Sequence, residues 1–127
     1  MSRPKPIALW AVPRSISTAF ERVFVERDDF EVLHEPFSNA YYYGTERLSD
    51  RFADTEPEPE YSFENVLANV LAPREKRVFV KDMAYQAKGV LSPELASRFV
   101  NTFIVRDPKY VLVSLYKMWP DFTFEET

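Results

Sequence analysis

Two hydroxyl residues, Ser17 and Thr18, stand just behind Arg14 and Ser15, at the point where an apolar run (Ile7-Ala8-Leu9-Trp10-Ala11-Val12) breaks at Pro13. An apolar strand that stops at a Pro-Arg-Ser turn and feeds a helix leaves unpaired backbone N–H groups at the helix start. These, with the positive end of the helix dipole, attract an anion. The Arg14 guanidinium adds a full charge and a fork of donors that matches phosphate or sulfate oxygens. The segment points to a ligand carrying phosphate or sulfate.

Three more charged groups follow other short apolar runs: His34-Glu35, Lys81-Asp82 and Arg106-Asp107. In an open α/β sheet, ligands bind outside the carboxyl ends of the strands. If each run is a strand, two arginines, a lysine, several hydroxyls and three potential proton acceptors share one rim.

The elements needed to hold them there are readable. Residues 7–12 predict a strand covered on both faces. Ser17 or Thr18 is expected to cap a helix through about Arg27, with Ala19, Val23, Phe20 and Phe24 on its apolar face. Residues 30–33 predict a second strand. Residues 39–61 hold Tyr41, Tyr42, Tyr43 and then many carboxylates and prolines, which reads as a long, partly mobile flap. Ser62 caps a helix whose Phe63, Val66, Leu67, Val70 and Leu71 keep helical spacing up to Pro73. Residues 77–80 and 100–105 predict two more strands. Ser92-Pro93 opens a short helix between them, and Asp107-Pro108 opens a last one running to Trp119-Pro120. Strands and helices alternate, so the expected class is α/β, a parallel sheet flanked by helices with right-handed crossovers. Four strands make a small version of that architecture, and the chain ends without an obvious closing element, which reads as a truncated domain.

Composition narrows the function. The 127 residues suit one domain, and they contain no cysteine, which removes disulfides, thiolate metal sites and cysteine nucleophiles. A net charge of −4 makes nucleic acid a poor partner. No apolar run approaches the ~20 residues of a membrane span. The short lead from Met1 to Pro6 leaves no room for a secretory signal, so a cytoplasmic location is expected.

Pro13-Arg14-Ser15-Ile16-Ser17-Thr18 resembles the 5′-phosphosulfate loop of sulfotransferases that use 3′-phosphoadenosine 5′-phosphosulfate (PAPS). Arg106-Asp107-Pro108-Lys109, with Ser114 eight residues beyond the arginine, is similar to their 3′-phosphate signature. His34-Glu35-Pro36 resembles the Glu-Pro that follows the second strand in carbohydrate sulfotransferases. The resemblance implies that residues 1–127 are the N-terminal portion of one P-loop-type sulfotransferase domain, with PAPS as co-substrate and no metal. Its departures are Ile16 where many family loops have glycine, and Lys81-Asp82-Met83 where cytosolic members have Lys-x-His. The backbone at residue 16 is therefore expected to take a conformation open to a β-branched residue. The family's C-terminal segment has no counterpart here.

On this reading Arg14, Ser15, Ser17 and Thr18 bind the 5′ end of the nucleotide, and Arg106 with Ser114 binds the 3′-phosphate. Arg14 and Lys81 are the candidates for placing positive charge at the bridging oxygen. An acceptor hydroxyl or amine needs a base within hydrogen-bond reach. Glu35 is the first candidate, His34 the second and Asp82 the third. Successive residues of an extended segment point opposite ways, so one of His34 and Glu35 is expected to face the ligand. Tyr41, Tyr42, Tyr43 and Tyr85 are candidates to line a pocket for a small-molecule acceptor. The acidic run from Glu46 argues against strongly anionic acceptors. Two other readings stay open: a P-loop kinase or hydrolase, weakened by the absence of Gly-x-x-x-x-Gly-Lys-Ser/Thr, and a non-catalytic nucleotide-binding homologue. Nothing in the sequence assigns an oligomeric state.

Overall fold

Ile7 to Ala11 carries no charged side chain, and β1 (Ile7–Ala11) accordingly lies inside the sheet, between two neighbours. The computed structural model describes residues 2–127. Its other strands are β2 (Phe30–His34), β3 (Arg77–Met83) and β4 (Val100–Phe103), all parallel, in the order β2-β3-β1-β4. The helices are α1 (Ser17–Arg27), α2 (Pro36–Ser38), α3 (Phe63–Leu71), α4 (Pro93–Ala96) and α5 (Pro108–Met118). This is the expected α/β class, a parallel sheet flanked by helices.

The register brings the chemistry to one end. His34 pairs with Lys81, which pairs with Leu9, and Asp82 pairs with Trp10. β3 runs on through Lys81 and Asp82 to Met83, beyond the expected end at residue 80, because Ala11 still offers a ladder partner there. β4 is shorter than expected and stops at Phe103, leaving Val105 exposed.

Alternation along the strands separates two cores. Ala8, Trp10, Val78 and Val80 pack with Phe37, Phe63, Val66 and Val70 on one face. On the other, Phe79 stacks on Phe24 of α1, with ring centroids 3.8 Å apart. Leu115 of α5 is fully buried, a contribution of roughly 1.5–3 kcal/mol.

Two local expectations are corrected. The buried positions of α1 include Ser17 and Glu21, with Phe24 on the next turn of the same stripe, while Phe20 and Val23 are exposed. Helical spacing puts 17, 21 and 24 together, and the stacking of Phe24 on Phe79 decides which stripe turns inward. The start of the 39–61 segment is also not a loose flap. Asn39–Tyr43 forms a π-helical turn in which Ala40, Tyr41 and Tyr42 are buried. Gly44 lies so close to the Tyr61 backbone that any Cβ would collide with its carbonyl. The Arg47 guanidinium donates to the Phe52, Ala53 and Thr55 carbonyls, pinning the exposed part.

Candidate functional site

The turn after β1 reverses its backbone sense twice. Arg14 (φ 63°) and Ile16 (φ 69°) are both left-handed, flanking a buried Ser15 whose hydroxyl donates to the Val12 carbonyl at 2.7 Å. The expectation for residue 16 is thus wrong: the β-branched Ile16 occupies the conformation that glycine would take without strain. Its side chain, 59% exposed, escapes collision by pointing to solvent. Ser17 and Thr18 do not cap α1 either. They are its first two helical residues, Ile16 is the cap position, and no side chain satisfies the first N–H groups. Those donors remain available to a ligand.

This turn forms one wall of a cleft of about 410 Å³ at the carboxyl end of the sheet. Arg14, Ser15, Ser17, Thr18, Glu35, Lys81 and Arg106 all line it. The two arginines face the same concavity, and Arg106 donates to the Arg14 carbonyl at 2.8 Å. Ser114 stands behind that wall and accepts from Arg14 Nε at 2.7 Å.

Lys81 is buried to 1% exposure, and its Nζ donates to Glu35 Oε2 at 2.7 Å. Burial of an ammonium is tolerable only with such a partner. Glu35 is also left-handed (φ 44°), which turns the chain out of β2 into α2. Its N–H donates to the Lys81 carbonyl at 2.7 Å, and its own carbonyl accepts from Ser38. The backbone that carries this carboxylate is tied on both sides.

His34 does not line the cleft. Its Nδ1 lies 3.0 and 2.9 Å from the two carboxylate oxygens of Glu21, and its Nε2 lies 3.1 Å from Glu35 Oε2. Asp82 does not line the cleft and is wholly buried; it accepts from the Phe37 and Met83 backbone N–H groups, each at 2.8 Å. Burial pushes its carboxyl well above the ordinary aspartate range, with the Glu35 charge adding to the rise, while the two N–H groups and Lys81 oppose it. Asp82 therefore ties β3 to the start of α2.

Of the four tyrosines, Tyr85 lines the cleft. Burial pushes its hydroxyl up to about 12, and it pairs with the Tyr42 hydroxyl at 2.8 Å. Tyr41 and Tyr42 pack edge to face inside the fold. Sequence reasoning missed Glu21, Gln86 and Trp119. Gln86 and Trp119 line the cleft, from the turn after β3 and the end of α5. For Glu21 a signal was present, its spacing of four from Ser17. The other two carry no local signal.

Among the described residues no helix is long and apolar enough to cross a membrane. The family described as "sulfotransferase domain" matches residues 5–124. Two Arabidopsis thaliana proteins are similar to the chain. Branched-chain-amino-acid aminotransferase-like protein 2 is 31% identical over 116 residues, covering 90% of this chain and 21% of that protein. Branched-chain-amino-acid aminotransferase-like protein 1 is 29% identical over 122 residues, covering 94% and 22%. The chain thus spans about a fifth of the length of these curated relatives. No solved structure gives a significant match.

Proposed function

Because the chain belongs to the sulfotransferase domain family, we propose that it transfers a sulfuryl group from PAPS to a hydroxyl or amine of a small acceptor. The observation that carries this reading is the Lys81–Glu35 pair, 2.7 Å apart, in the same cleft as Arg14, Arg106 and the uncapped start of α1. A cationic cradle alone would suit any phosphate ligand. A carboxylate placed beside it suits a reaction in which an acceptor must lose a proton.

In that reaction the acceptor oxygen or nitrogen attacks sulfur. Its proton passes to the Glu35 carboxylate, and the bond from sulfur to the bridging oxygen breaks, with the electron pair leaving on the phosphate of adenosine 3′,5′-bisphosphate. Charge grows on that oxygen, so donors fixed around it stabilise the transition state more than the ground state. Lys81 has three N–H donors and uses one on Glu35, leaving others for the leaving oxygen. Arg14, Ser17, Thr18 and the α1 N–H groups form the 5′ cradle. Arg106 reaches the 3′-phosphate, and Ser114 acts on the nucleotide by holding Arg14. On this reading Glu35 acts as the base: its side chain lines the cleft, whereas His34 and Asp82, the latter engaged by two backbone donors, do not.

Calorimetric titration with adenosine 3′,5′-bisphosphate, paired with PAPS consumption over a panel of phenols and amines, tests this. The Glu35→Gln variant should keep the bisphosphate affinity within about twofold and lose roughly 10²–10⁴-fold in turnover. The Arg106→Ala variant should lose at least about tenfold in affinity, the worth of a charge-assisted contact. Binding of ATP with magnesium, but not of the bisphosphate, would replace this reading with the kinase one.

A further inference from the structure

We infer that Glu21 and His34 are a positioning pair that aims the Glu35 carboxylate, an inference that rests on Glu35 being the base. Glu21 is a carboxylate at 5% exposure on the sheet-facing stripe of α1, where the next turn carries Phe24. A buried carboxylate is destabilising unless it is paired. Its one ion-pair partner among the described residues is His34, whose Nδ1 faces both of its oxygens. The His34 side chain is 56% exposed, so its ring is held by the Glu21 carboxylate and not by packing on all sides. What the pair does is set the ring plane.

A ring fixed by Glu21 at Nδ1 presents Nε2 to Glu35 Oε2 at 3.1 Å. That same oxygen receives Lys81 Nζ at 2.7 Å. Oε2 therefore sits between two elements: the ammonium from β3 donates to it, and the ring from the end of β2 stands against it at 3.1 Å. Glu35 Oε1 has no hydrogen-bond partner among the described residues. The carboxylate has one tethered oxygen and one open oxygen, and the open one is left for the acceptor's proton. The left-handed turn at Glu35 makes this possible, since in a continuing strand residues 34 and 35 would point apart.

A double-mutant cycle reads the coupling. Glu21→Gln and His34→Ala are each made alone and in the Glu35→Gln background. Each single change should lower kcat about tenfold, with acceptor KM and bisphosphate Kd within about twofold. Neither should lower kcat further once Glu35 is Gln. Losses that multiply in that background would overturn the inference, since they would act independently of Glu35. If Glu35→Gln alone leaves kcat unchanged, the base assignment fails and the positioning role falls with it. If only Glu35→Gln matters, the positioning role alone is lost. A readout without turnover comes from ring-nitrogen NMR of the sole histidine. The Nδ1 signal should move in Glu21→Gln and the Nε2 signal in Glu35→Gln; a spectrum indifferent to both changes sinks the inference even where a variant is too inactive to assay.

Discussion

Ile16 sets residue type against backbone more sharply than any other position around the cleft. The left-handed conformation costs an L-residue roughly 1–2 kcal/mol, and the β-branch stiffens the side chain further. Glycine removes that strain but loses roughly 0.5–1 kcal/mol through the greater freedom of the unfolded chain. The side chain is largely exposed, so little burial is forfeited. Ile16→Gly should therefore stabilise the protein slightly, by up to about 1 kcal/mol, which is a rise of roughly 2–5 °C in Tm for a domain of this size. Thermal unfolding followed by circular dichroism measures it, and a fall in Tm would mean that Ile16 makes contacts that outweigh its strain. Residue chemistry alone could not foresee this conflict. The turn is dictated by the close return of the chain from β1 to α1, not by the preference of residue 16.

Among the elements, those with local signals were readable in advance and those held by distant partners were not. Ser62, Ser92 and Asp107 each cap the helix that follows, accepting from Asn65, Leu95 and Lys109 N–H groups. The strand order β2-β3-β1-β4 brings Arg14, Glu35, Lys81 and Arg106 to one cleft, as their positions after apolar runs suggested. The inward stripe of α1 depended on Phe79, far along the chain, and could not be told from the helix alone. The same holds for the C-terminal segment, which Arg51 fastens. Its guanidinium forms a two-pronged pair with Glu126, at 2.8 and 2.6 Å, and lies 4.3 Å from the Trp119 ring centroid. Glu126 is 2% exposed, so removing its partner strands a buried carboxylate. Arg51→Ala should cost about 3 kcal/mol in stability and free Trp119 at the cleft. Burial raises the Glu126 carboxyl, but Arg51 and the Thr123 N–H outweigh it and leave it below the ordinary glutamate range. A carboxyl lowered in the folded state stabilises above its unfolded value and loses that contribution as pH falls through the folded one. The wild type should thus lose stability on acidification below the ordinary glutamate range, and Arg51→Ala should lose less. Parallel Tm–pH curves for the two proteins would refute the clamp.

For the whole molecule, the open flank is the side of the sheet where β4 ends. β4 is a four-residue edge strand of sequence Val-Asn-Thr-Phe, with no charged residue among them. Phe103 is 72% exposed, and Val105, Tyr110, Val113 and Tyr116 are exposed close by in sequence. Natural edges are usually blunted by lysine, proline or a bulge, because unpaired N–H and C=O groups beside apolar side chains template association. The net charge of −4 opposes contact between copies only at long range and is screened beyond about 10 Å at 0.1 M salt. Apolar contact at the edge has no such decay with salt. The 127-residue chain should therefore self-associate more as salt rises, and Phe103→Lys should suppress this while changing stability by no more than about 0.5 kcal/mol, as expected for an exposed position. Light scattering across protein concentration and salt measures it. A wild-type chain that stays monodisperse at high concentration and high salt would show that the exposed side chains are too scattered to act as one surface. A Phe103→Lys variant that associates equally would move the contact from the strand edge to the outer face of α5.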